Sequence, residues 1–335
     1  MNLVPVEKKS LNIFVTGATG FVGQALVKRL VHEGHKVKAL VRSDEGAALV
    51  KDLGAGPVFG SLGNILEWAP QLQGQDAVIH TAAPVDFGRP RQVFFNEVVQ
   101  ATLLLAEASS SRGVRRFIYL SSESAIYDHK PLVDVDESYP YPNPPNSFYG
   151  EAKMMAEQGL LSTKLPMQII ILRPPFVWGP GTPAFKQIAK KAKQGMFVWM
   201  DGGRNFFDVI HVDNLVHAIV LALTKGRDKQ IYFVTDGQTY SAREFFTRLF
   251  RVLGVPQPKI SVPSSVMYAV ASGAERAWRL IPIGKRPAFF RIEIDFVSLP
   301  RRFKIDKARA ELGYAPVVRF EEGFHQLEAH GRDSH

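Results

Sequence analysis

Apolar positions in the first half of the chain follow two alternating rhythms. Short runs rich in β-branched residues, "LNIFVTG", "KVKALVRS", "DAVIHTAA", "RRFIYLSS" and "MQIIILRP", read as strands. Between them, "GQALVKRLVHEG", "VVQATLLLAEASSSRG" and "SFYGEAKMMAEQGLLST" space their apolar residues as helices, the first two closed by Gly34 and Gly113. This alternation predicts βαβ units and hence an α/β fold with a doubly wound parallel sheet. The stretch "GSLGNILEWAPQLQG" is less regular, and the polar, Pro-rich "DHKPLVDVDESYPYPNPPN" predicts a loop over the edge of the sheet.

After Pro174 the rhythm breaks. "PFVWGPGTP" and "MFVWMDGGRNFF" read as aromatic, Gly-rich loops around a short helix, "AFKQIAKKAKQG". "NLVHAIVLAL" and "QIYFVTD" resume a helix and a strand, and "SAREFFTRLFRVLG" begins a region of different composition. The expected division is a core domain of residues 10–176 plus 207–236 and a smaller mixed C-terminal domain of 177–206 plus 237–330.

Charge adds one asymmetry. The 335 residues are 46% hydrophobic and 22% charged, ordinary globular values, with a formal net charge of +9. Ten Lys or Arg against four Asp or Glu fall between Glu275 and Arg309, about two thirds of the excess. No nucleic-acid motif accompanies them, so a solvated face is expected and nucleic acid is not an expected partner. The absence of cysteine excludes disulfides and thiolate metal sites, and no metal site is expected. The start lacks the pattern of a signal peptide, and no run of about 18 apolar residues suggests a membrane span, so a cytoplasmic location is expected. Residues 264–281 place Met267, Val270, Ala274, Trp278 and Ile281 on one helical stripe, with Glu275, Arg276 and Arg279 elsewhere. That stripe either packs in the core or makes peripheral contact with a membrane surface.

The candidate chemistry begins at "TGATGFVG", residues 16–23, between the first strand and the first helix. Gly17, Gly20 and Gly23, with Thr19, Phe21 and Val22 between them, suit a turn whose backbone N–H groups meet a pyrophosphate at a helix N-terminus. The first domain is then a dinucleotide-binding Rossmann domain, and the second binds substrate. The second strand ends at Arg42 and Ser43, where an acidic residue would accept from a ribose 2′-hydroxyl. An Arg there pairs with a 2′-phosphate instead, so NADP is expected over NAD. Ser61, followed by Leu62, is a candidate neighbour of the adenine.

Tyr149 and Lys153 stand at i and i+4 of one helix, so both project from one face. A nearby ammonium favours a phenolate, and such a pair can exchange a proton with a carbinol oxygen. The preceding strand ends at Ser121 and Ser122, whose hydroxyls could hold the same oxygen. The clustered Phe176, Trp178, Phe197, Trp199, Phe206 and Phe207 either pack a lid or touch a bulky apolar substrate. His80, in an apolar strand, reads as a satisfied buried histidine, and Asp213 as a helix cap rather than a catalytic group with His211. Arg204 could meet a substrate carboxylate or phosphate.

In this order "TGATGFVG", "VIHTAA", "RRFIYLSS", "YGEAK", "LRPPFVWGPG" and "DVIHVDN" resemble the extended short-chain dehydrogenase/reductases, the NAD(P)-dependent epimerase/dehydratase superfamily, over about residues 11–325. "IYFVTDGQTYSAREFFTRLFRVLG" is most similar to the 3β-hydroxysteroid and sterol dehydrogenase-like members. The resemblance implies a Ser-Tyr-Lys mechanism, with Tyr149 as acid–base, Lys153 lowering its pKa and holding the nicotinamide ribose, and a serine polarising the substrate oxygen. It implies that Thr81, Ala82 and Ala83 lie beneath the cofactor, that Pro174 and Val177 border the nicotinamide, and that the chain forms a homodimer through the Tyr149 helix and its neighbour. The family's serine falls on Ser122 counting along the strand and on Glu123 counting back from Tyr127, so "SSESAIYD" carries one extra residue. We assign Ser122, with Ser121 and Ser124 as alternatives. The family's asparagine four residues before Thr102 is replaced by Val98, with Asn96 two residues earlier. The expected activity is an NADP-dependent hydride transfer to or from a hydrophobic secondary alcohol or ketone, steroid-like by resemblance. Its alternatives are a nucleotide-sugar epimerase or dehydratase and a non-catalytic NADP-binding protein.

Overall fold

The computed structural model describes residues 10–280 and 290–333. β1 (Asn12–Thr16), α1 (Phe21–His32), β2 (Lys36–Val41), α2 (Asp44–Asp52) and β3 (Gly56–Phe59) come first. After a short α3 (Ile65–Trp68), β4 (Ala77–His80) leads into α4 (Arg91–Phe94), a π-helical turn (Phe95–Gln100) and α5 (Ala101–Ser111). Then follow β5 (Arg116–Leu120), a 3-10 turn (Glu123–Ile126), β6 (Leu132–Val135), α6 (Phe148–Ser162), β7 (Gln168–Arg173) and β8 (Phe176–Trp178). The chain continues through α7 (Pro183–Lys193), β9 (Trp199–Met200), β10 (Phe206–His211), α8 (Val212–Lys225), β11 (Gln230–Phe233), β12 (Thr239–Ser241) and α9 (Ala242–Val252). It ends with β13 (Ser261–Val262), α10 (Ser264–Leu280), α11 (Arg291–Ser298), β14 (Arg301–Phe303) and α12 (Phe320–Asp333).

The predicted parallel sheet is present, with seven strands in the order β11-β7-β5-β4-β1-β2-β3. Its strands are apolar on both faces because helices cover both. Ile13, Val15, Ile79, Ile118 and Leu172 enter one buried cluster, while Phe14, Val78, Phe117, Tyr119 and Ile171 enter the other. Strand order reverses between β1 and β4, the switch point at which such sheets bind ligands.

Three segments differ from the sequence reading. α2 and β3 were not expected, because a short helix beginning "DEG" and a four-residue edge strand of "GPVF" carry little apolar rhythm. The Pro-rich segment read as a loop contains β6, which pairs in parallel with β14 from Leu132 opposite Arg301. The aromatic loops contain β8 and the start of β10, and β8 pairs in parallel with the later half of β10, Phe176 opposite Val209. These strands build a second sheet, β12-β10-β14-β6 with β8 on β10, beneath the C-terminal helices.

α10 also differs in its facing. Ala271 and Glu275 are buried and Met267 and Trp278 half-buried, whereas Val270 is 62% exposed and Ala274 is exposed. Glu275 turns inward because its carboxylate accepts from the Arg291 backbone and side chain. Ile281 lies outside the described residues. Among the described residues no helix is long and apolar enough to cross a membrane. Four of the ten basic residues of that segment pair within the fold, as Arg291–Glu275, Arg301–Glu123, Arg302–Asp134 and Arg309–Asp306.

Candidate active site

The loops after the parallel strands open onto one edge of the sheet, and the predicted cofactor residues gather there. Gly17 has φ +75°, and a Cβ there would stand 2.7 Å from both the Ala82 nitrogen and Thr81 Oγ1, so only glycine lets the two turns touch. At Gly23 an added Cβ would fall 2.0 Å from the Gly17 carbonyl oxygen. Gly20 precedes α1 with no side-chain cap, Thr19 is exposed beside it, and Phe21 and Val22 are half-buried at the start of the helix. The first N–H groups of α1 therefore remain available to an anion. Thr81 Oγ1 donates to the Thr16 carbonyl at 2.8 Å, which holds Thr81, Ala82 and Ala83 across from Gly17.

Beyond β2 a cavity of about 240 Å³ is lined by Thr19, Arg42, Ser43, Glu45, Gly46 and Leu49. Ser43 caps α2 by accepting from the Gly46 N–H at 3.3 Å. Its hydroxyl also holds the Glu45 carboxyl below its ordinary range. After β3, Asn64 Oδ1 accepts from the Ser61 N–H at 2.8 Å and from its hydroxyl at 2.9 Å, closing the turn that carries Leu62. Pro174 follows β7 and accepts from the Glu123 N–H at 3.1 Å, with Val177 half-buried in β8.

Tyr149 and Lys153 lie in the first turns of α6, which Ser147 caps by accepting from the Gly150 N–H at 3.0 Å. Both side chains are buried, and the rings of Phe87 and Phe94 meet Tyr149 edge-on with centroids 5.7 and 6.0 Å away. Lys153 Nζ donates to the Leu120 carbonyl at 2.7 Å and stands 4.6 Å over the Tyr119 ring and 5.9 Å over the Tyr149 ring. Burial pushes the Tyr149 phenol up to about 12; a hydrogen bond with the Ser122 hydroxyl lowers it and Glu123 raises it. Burial pushes Lys153 down to about 7, against the attraction of Glu157. Thus burial, Ser122 and Glu123 move the phenol, while the amine reaches past it to the end of β5.

Of the serines, Ser122 is the one beside Tyr149. Its Oγ accepts from the Ser124 N–H and donates to Ser124 Oγ, both at 3.2 Å, which fixes it at the start of the 3-10 turn. Ser121 Oγ is buried without a hydrogen bond, and the Glu123 side chain turns to Arg301 at 2.7 Å. The segment "SSESAIYD" forms a 3-10 turn at Glu123–Ile126 that Ser122 caps.

Other candidates sort by their partners. His80 is fully buried between Thr16 Oγ1 at 2.6 Å and Thr102 Oγ1 at 3.0 Å, and burial lowers it to about 3, as expected of a neutral structural histidine. The cap of α8 is His211, whose Nδ1 accepts from the Asp213 N–H at 3.3 Å; Asp213 lies in the first turn rather than at the cap. Val98 is buried, and Asn96 is exposed and accepts from Gln92 at 2.8 Å. Arg204 is exposed. Trp178, Phe197, Trp199 and Phe207 pack into one aromatic core with Phe245, Phe246 and Phe250, Phe176 lies half-buried against it, and the half-buried Phe206 ring meets Arg302 instead, at 5.2 Å. Lid packing accounts for most of this cluster.

Sequence reasoning missed Glu123 and Arg301, and the share of Glu45, Gly46 and Leu49 in the cavity. The doubled register of "SSESAIYD" was the available sign for Glu123, since an inserted residue needs a place to go.

Comparison with known proteins places this geometry in context. The model of the NAD dependent epimerase/dehydratase family matches residues 13–235. A 4-hydroxy-2-methyl-3-oxo-4-farnesyl-3,4-dihydroquinoline-1-oxide ketoreductase of Stigmatella aurantiaca is 33% identical over 324 residues, 96% of this chain and 97% of that protein. A decarboxylating sterol-4-alpha-carboxylate 3-dehydrogenase of Dictyostelium discoideum is 29% identical over 326 residues, covering 94% and 99%. The solved UDP-glucose 4-epimerase of Thermotoga maritima has a TM-score of 0.76 at 23% identity, covering 97% and 99%, a likeness of fold.

Proposed function

Because the chain belongs to the NAD dependent epimerase/dehydratase family, we propose that it is an NADP-dependent oxidoreductase interconverting a hydrophobic secondary alcohol and its ketone. The observation that carries this reading is the buried Tyr149 phenol beside the Ser122 hydroxyl, at the carboxyl edge of the sheet and one turn from Lys153. The Gly17 turn against Ala82 and the uncapped start of α1 fit a dinucleotide pyrophosphate. When bound, the nicotinamide supplies or takes the hydride. Tyr149 gives a proton to the carbonyl oxygen or takes it from the alcohol, and Ser122 donates a hydrogen bond to that oxygen. With its phenol pushed up to about 12, Tyr149 is protonated at neutral pH, the form that ketone reduction uses. Lys153, donating to the Leu120 carbonyl, has further N–H groups for a ribose hydroxyl.

Arg42 in the lining of that cavity supports a 2′-phosphate and therefore NADP; Glu45 in the same lining opposes it, and the guanidinium is the group there that can donate bidentately to a phosphate. The ketoreductase and sterol dehydrogenase relatives support an apolar substrate. A homodimer through α4 to α6 is supported by the shallow groove of Phe95, Val99, Phe148 and Met155, crossed by the Arg91–Glu151 ion pair. The outward Val266 and Val270 of α10 support peripheral contact with a membrane. Sedimentation with and without anionic vesicles tests both: a monomer would defeat the first and a free protein the second.

The function itself is tested by incubating the protein with NADPH or NADH and panels of apolar ketones and nucleotide sugars. Stoichiometric oxidation of NADPH with ketones alone is expected. Sugar conversion without net cofactor consumption would select the epimerase reading instead.

A further inference from the structure

Lys153 is buried with its ammonium at the end of β5, and two consecutive residues of that strand meet it. The Leu120 carbonyl accepts from Nζ at 2.7 Å and is, among the described residues, the one hydrogen-bond acceptor that the ammonium has. Nζ also stands 4.6 Å over the Tyr119 ring, nearer than the 5.9 Å to the Tyr149 ring. The carboxylate one turn further along α6, Glu157, is taken up by Arg173 and Tyr141. Tyr119 is fully buried and its hydroxyl makes no hydrogen bond, so what it offers the amine is the face of its ring. Across the sheet His80 pairs with Tyr119 in register and stacks on that ring, centroids 5.6 Å apart and planes 26° from parallel. The imidazole cannot turn away, because Thr16 Oγ1 at 2.6 Å and Thr102 Oγ1 at 3.0 Å hold its two nitrogens. Burial keeps it neutral, so it adds no charge to repel the ammonium.

We propose that Tyr119 is a positioning residue, whose ring face holds the Lys153 ammonium beside Tyr149 for the reaction of the preceding section. A cation is drawn to the negative face of an aromatic ring, and more strongly where water is excluded. Lysine carries its charge on a long flexible stem, so a single contact leaves the ammonium free to swing. A carbonyl and a ring from adjacent residues of one strand fix both its distance and its direction. Unlike a carboxylate, the ring uses up no N–H. Leu120 takes one of them, which leaves the others for the ribose hydroxyls of a bound dinucleotide. The inference rests on the preceding reading for what Lys153 does, and on the contacts above for how it is held.

The test varies the electron density of the ring at nearly constant shape. Y119F keeps the ring without the unpartnered hydroxyl and is the reference, against which phenylalanines carrying successively more fluorine are placed at position 119 alone. Fluorine draws charge from the ring face, so NADPH affinity, read by fluorescence titration, and kcat for an apolar ketone should fall stepwise, by about fivefold over the series. The denaturant midpoint should stay at that of Y119F. Y119L, which has no ring, should lose about tenfold in both. A series flat in both readouts, or losses that only follow a falling midpoint, would overturn the proposal. So would a loss in Y119F as large as in Y119L, which would make the hydroxyl the working group. The fluorinated rings preserve the packing, so the series decides the matter even where Y119L does not fold. NADPH affinity that follows the series without turnover of any ketone would uphold the positioning role and defeat the oxidoreductase reading instead.

Discussion

Two buried ion pairs flank the catalytic helix, and they are built differently. Behind Lys153, Glu157 is fully buried and accepts from Arg173 Nε at 3.0 Å, Arg173 Nη2 at 2.5 Å and the Tyr141 hydroxyl at 2.8 Å. Arg173 is further sandwiched between Tyr141 and Phe233, at 5.3 and 5.5 Å. In front of Tyr149, Glu123 meets Arg301 through one oxygen and keeps the other bare. Each pair leaves one guanidinium nitrogen bare, Arg173 Nη1 and Arg301 Nε, but only at Glu123 does a carboxylate oxygen go unmet as well. The difference leaves α6 with one neighbouring carboxylate, Glu157, met on both oxygens, and another, Glu123, met on one.

The largest test addresses the group both pairs serve. Y149F should lower turnover by about a thousandfold or more while leaving NADPH binding intact, measured by steady-state rates beside fluorescence titration. Unchanged turnover would remove the reason for comparing the pairs. Where both oxygens are met, E157Q should destabilise the chain by about 3–5 kcal/mol in denaturant unfolding, because it leaves the Arg173 charge buried and unpaired. A loss no greater than that of E123Q would erase the distinction between the pairs.

At the cofactor end, R42A should weaken NADPH binding by about tenfold and leave NADH unchanged, read by calorimetry. A further effect is a slope. Lys153 loses its proton at about 7 in the folded chain, below its unfolded value, so between there and the ordinary lysine range the unfolded chain binds more protons and stability should rise with pH. K153M should flatten that rise, and a rise of the same size in K153M would place it elsewhere.

Much of this arrangement was legible in the sequence where local rules agree with the fold. The strand, glycine turn and helix at residues 12–32, and the pairing of Tyr149 with Lys153 on a Ser-capped helix, depend on spacing alone. What stayed hidden depends on distant partners. β6 is a strand only because β14, more than 160 residues later, pairs with it. Glu275 faces inward on α10 because Arg291 waits there, which turns Val270 and Ala274 outward against the apolar stripe. The lid aromatics became core because α9 supplies Phe245, Phe246 and Phe250 to receive them. For the same reason Glu123 reads as a register problem in the chain and as a charge beside the site in the fold.

In the proposed reaction Tyr149 and Ser122 hold one substrate oxygen while the neighbouring carbon exchanges hydride. A crystal structure of the complex with NADP and an alcohol or ketone that turns over tests it most directly. That oxygen should lie within about 3 Å of both the Tyr149 hydroxyl and Ser122 Oγ, with the nicotinamide ring against Pro174 and Val177. An oxygen bound elsewhere, with the phenol facing neither substrate nor nicotinamide, would contradict it.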